Sequence, residues 1–83
     1  MTVKSKIERL RDGLRNGDAE ICGESPKWIQ DELLQRVDVL LAKSSEPTFQ
    51  AEAESFSLGA VRFVADRCGS ECDQLVEALS EIA

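Results

Sequence analysis

The 83-residue chain has room for one domain, and its 42% hydrophobic and 31% charged content is that of a folded protein rather than a disordered one. The net charge of −6 is unevenly placed: residues 1–16 carry five basic and two acidic side chains (+3), and residues 17–83 carry five and fourteen (−9). Such an acidic balance disfavours general nucleic-acid binding, which needs cations to displace phosphate counterions, and no apolar run approaches the ~20 residues of a membrane span.

The hydrophobic spacing predicts an all-α fold, a compact bundle of three to four antiparallel helices joined by short loops in a single domain over 1–83. The first helix is expected at about 3–16, with Thr2 as its cap and Val3, Ile7, Leu10 and Leu14 along one narrow face. Gly17 is placed to stop it in a left-handed conformation, and Gly13 weakens its last turn by roughly 1 kcal/mol relative to Ala. Residues 17–24 then read as a connector whose core anchors are Ile21 and Cys22.

A second helix is predicted at about 26–43, capped by Ser25 with Pro26 at its first position. Ile29, Leu33, Leu34, Val37, Leu40 and Leu41 make its apolar stripe, and Trp28 is expected to join the core beside Ile29. Pro47 ends the segment. The third helix, about 48–68, repeats Phe49, Ala53, Phe56, Ala60 and Phe63, and Leu58, Val61, Ala65 and Cys68 widen its buried face. Gly59-Ala60 is small enough to admit a crossing helix, and Gly69 is expected to terminate the run. The fourth helix, about 71–82, has Ser70 as cap and Cys72, Leu75, Val76, Leu79 and Ile82 on one face.

The residue types carry little chemistry. There is no His, so the usual general base near neutral pH is missing, and no phosphate loop or nucleophile elbow occurs. The chain is expected not to be an enzyme, to need no cofactor, and to take no small-molecule substrate. Its first six residues lead into a charged segment, so no secretory leader and a cytoplasmic location are expected.

Cys22, Cys68 and Cys72 are an odd set for a disulfide scaffold, and three thiols without His fall short of a structural zinc site. Cys68 and Cys72 are expected to be small core residues on either side of a helix junction, with a thiol- or metal-dependent switch through the three cysteines as an alternative.

The function expected is protein binding: a small regulator or inhibitor that occupies a surface on a larger protein. Its bulk properties are those of small phage or mobile-element proteins acting on host machinery. Lys4, Arg11 and Arg15, on one side of the first helix, and Trp28 are the candidate partner-binding residues. The alternative is a self-associating structural subunit, whose partner is a copy of the chain itself, paired or swapped through the narrow stripe of the first helix.

Overall fold

The computed structural model describes residues 2–82. Five α-helices and one 3-10 turn follow one another: α1 Val3–Asn16, α2 Ala19–Cys22, α3 Lys27–Ala42, α4 Phe49–Arg67, the turn Ser70–Cys72, and α5 Asp73–Ser80. No strand occurs among the described residues, so the class is all-α. The Cα radius of gyration, 11.7 Å, is close to the ~12 Å of a compact chain this long.

α1 is built as its residues dictate. The Thr2 hydroxyl oxygen accepts the Ser5 backbone N–H at 3.1 Å, and Gly17 closes the helix at φ 66°. Ile7, Leu10 and Leu14 are buried. The expected connector contains an additional element: Asp18 caps the single turn α2, its carboxylate accepting from the Glu20 N–H at 2.9 Å. Asp18 follows the left-handed Gly17, and that pairing lets the chain turn back and lay Ile21 and Cys22 into the core.

Three of the anticipated helix boundaries are made differently. Ser25 does not cap α3. Pro26 itself is the N-cap, at ψ 148°, with its carbonyl accepting from Ile29 and Gln30. Proline's fixed φ suits this extended position as well as a helical one. Ser25 is buried instead, and the Gln30 side-chain amide donates to its carbonyl at 2.9 Å and its hydroxyl at 3.1 Å. Gly69 is not a left-handed stop: α4 ends at Cys68 in an extended conformation, and Gly69 has φ −93°. Ser70 opens a 3-10 turn rather than capping α5, and no side chain caps either start.

The core is one cluster drawn from every helix. α1 packs chiefly on α3 and α4 on α5, while α2 bridges α1 and α5. A buried hydrogen bond, Ser57 Oγ donating to the Leu79 carbonyl at 2.6 Å, ties the middle of α4 to the end of α5. The widened face expected of α4 does not extend to Leu58, which is 71% exposed. Leu58 lies about 180° around the helix from Phe49, at 100° per residue, and no neighbour covers that side. Gly59 is also exposed, with open space where a Cβ would stand, so the close crossing runs through Ala53, Ser57 and Ala60.

Candidate functional site

The four residues singled out by sequence do not converge. Lys4 is exposed on the first turn of α1. Arg11 folds onto its own neighbour Asp12 at 3.2 Å, and Arg15 reaches across to Asp38 of α3 at 3.9 Å. Both cations are thereby engaged inside the chain, at sites exposed enough that each pair adds little stability. Trp28 stands in the first turn of α3, ten residues before Asp38 in sequence, which is about 15 Å of helix rise.

Trp28 is not a core residue as the sequence led one to expect: it is 55% exposed. Ile29, one position on and 100° around the helix, takes the buried place, and Trp28 falls outside the buried stripe that Ile29 shares with Leu33, Val37 and Leu40. What holds Trp28 is Phe63 of α4, met edge-on at a centroid distance of 6.2 Å and an interplanar angle of 80°. That T-shaped arrangement sets the positive edge of one ring toward the negative face of the other.

Phe63 is also covered by two guanidinium groups. Arg36 of α3 lies 4.7 Å from its ring centroid and Arg67 of α4 lies 4.5 Å from it. Arg67 additionally donates to the Phe63 carbonyl at 3.4 Å, and Arg36 pairs with Glu32 at 3.2 Å. Both arginines are exposed, so the guanidinium faces not turned to the ring are open to a ligand. Phe63 and Arg36 were absent from the sequence-derived site. The available signal was weak: an Arg and a Phe, each bordering the apolar stripe of its own helix, on helices joined by a six-residue connection.

Further along the same side, Val39 is 61% exposed. It stands on α3 above a shallow concavity between α3 and α4 that is also lined by Leu40, Lys43, Glu52, Ser55 and Phe56. Trp28 and Val39 mark two places on one exposed side of α3.

Cys68 and Cys72 stand at the helix junction where they were expected, but not as two separate small core residues. Cys68 and Cys72 form a disulfide that joins the end of α4 to the 3-10 turn before α5. The extended geometry at Cys68 and the turn at Ser70–Cys72 bring their Cα atoms to 6.0 Å, within disulfide reach. Cys22 is a buried free thiol whose S–H donates to the Gly13 carbonyl at 3.5 Å. Burial, with the Asp18 carboxylate adding to it, pushes its pKa above the ordinary value, away from the reactive thiolate. Among the described residues no cluster of three His, Cys, Asp or Glu side chains is placed to hold a metal ion.

Compared with protein-family models, curated proteins and solved structures, the chain matches none of them.

Proposed function

We propose that this chain is a protein-binding module, not an enzyme, and that it meets its partner through the α3–α4 surface formed by Trp28, Phe63, Arg36 and Arg67. The observation that carries the reading is the half-exposed Trp28, packed edge-on against Phe63. A large amphipathic ring that is already packed on a neighbour loses little entropy on binding, and Trp and Arg are the side chains most enriched where binding energy concentrates. The flanking guanidiniums offer in-plane donors to carboxylates around that apolar centre.

The test is capture of protein by the immobilised chain from its source cell. Trp28→Ala is expected to weaken capture about tenfold or more, the loss of a single central contact, with helicity by circular dichroism unchanged. Arg11→Glu combined with Arg15→Glu should leave capture largely intact. The opposite pattern, loss with the α1 pair and none with Trp28→Ala, would move the contact to the basic side of α1.

A further inference from the structure

The exposed side of α3 runs apolar, polar, polar, apolar at a 4-3-4 spacing, a pattern of polarity that is the same in both directions. At 100° per residue, Trp28, Glu32, Gln35 and Val39 fall within a stripe about 60° wide, with Arg36 on its border. Trp28 and Val39 stand at its ends, separated by about 16 Å of rise, and the polar side chains lie between them. Two of the three exposed large hydrophobic residues of the chain, as far as it is described, belong to this stripe.

From this we infer that the partner seated on the α3 side of the proposed docking surface is a second copy of the chain, related by a two-fold axis midway between Glu32 and Gln35. The inference rests on the reading of that surface as a protein-binding site and adds the identity of its occupant. A two-fold axis perpendicular to α3 runs the two copies antiparallel, so Trp28 of each meets Val39 of the other. The same axis sets Arg36 of one copy within about one residue's rise of Glu32 of the other.

Within one copy, Arg36 and Glu32 pair at 3.2 Å while each side chain stays more than 40% exposed. Both keep hydrogen-bonding capacity directed outward, and the pair becomes a four-membered ring of alternating charge at the two-fold axis. Arg36 is steadied for this by the Phe63 ring. The pairing sought on α1 is not available, because Ile7, Leu10 and Leu14, three of its four stripe residues, are spent on the core.

Sedimentation of the full chain with charge-swapped variants tests this. Wild type is expected to pass from monomer to dimer as concentration rises. Glu32→Arg gives each copy two facing cations and Arg36→Glu gives two facing anions, so each variant alone should dimerise at least about tenfold more weakly. Mixed one to one, the two variants restore alternating charge across the axis and should form a heterodimer of near wild-type stability. An intrachain role for the pair would not be rescued by mixing. Failure of the mixture to associate while wild type dimerises overturns the α3 pairing. A wild type that stays monomeric, yet loses a captured foreign protein on Trp28→Ala, overturns the second copy and leaves the docking surface standing. If Trp28→Ala changes neither dimerisation nor capture, the docking surface itself falls.

Discussion

Gly13 shows how much at the residue scale escapes a linear reading. By propensity it is a flaw in α1. In the fold it is the position on which α2 is seated: a Cβ there would lie 3.0 Å from Ile21 Cβ and 3.1 Å from Cγ1, and nearer still to Cδ1. Its carbonyl also accepts from the Gly17 and Asp18 N–H groups and from the Cys22 thiol. Gly13→Ala therefore gains about 1 kcal/mol of helix propensity and loses about 1–3 kcal/mol to overpacking of a β-branched, buried Ile. The expected outcome is a lower melting temperature. Gly59→Ala is the control: it too replaces a glycine inside a helix, but its Cβ would meet nothing within 4 Å, so about 1 kcal/mol of stabilisation is expected. Thermal unfolding of both variants checks this, and equal shifts in the same direction would refute the account. The two glycines look alike in the sequence because what separates them is a contact from a segment that reads as a connector.

Elements were legible wherever a strong apolar period was bracketed by residues that act locally. α1 is the clearest case: Thr2 and Gly17 act on their own backbone neighbourhood, and both do what their chemistry suggests. The starts of α3 and α5 were harder, because Ser25 and Ser70 compete with other ways of satisfying the backbone. At α3 the Gln30 amide claims Ser25, and at α5 the chain enters through a 3-10 turn. The disulfide lies in this second region. A five-residue loop closed by Cys68 and Cys72 restricts the unfolded chain by about 2 kcal/mol on chain-entropy grounds. No side-chain cap holds the junction, so the bond has no local substitute. Reduction with a dithiol is expected to lower the melting temperature by on the order of 10 °C in a domain this small. Calorimetry with and without reductant measures it. Cys68→Ala should melt near the reduced protein and no longer respond to reductant; a wild type indifferent to reductant would show that the bond adds nothing to stability.

At the scale of the whole molecule the acidic balance was plain in the sequence, whereas the exposed side of α3 was not, because Trp28 and Val39 differ from their buried neighbours only in which way one helix is turned. The two properties now bear on each other. Each copy carries −6 on a body of 35 × 23 × 21 Å, so two approaching copies repel over their full extent when salt is scarce. The screening length is ~30 Å at 0.01 M and ~8 Å at 0.15 M salt, which takes the field from larger than the short axes of the molecule to a fraction of them. Burial of Trp28 against Val39 is insensitive to that change, and the Arg36–Glu32 contacts at the axis are short enough to be screened far less than the long-range repulsion. Dimerisation should therefore strengthen as salt rises from about 0.01 to 0.15 M, a direction opposite to that of an acidic protein capturing a basic partner. Sedimentation at the two salt concentrations reads the sign directly. A dimer that weakens over this range would mean that opposite charges, and not the apolar ends of the α3 stripe, bring the copies together.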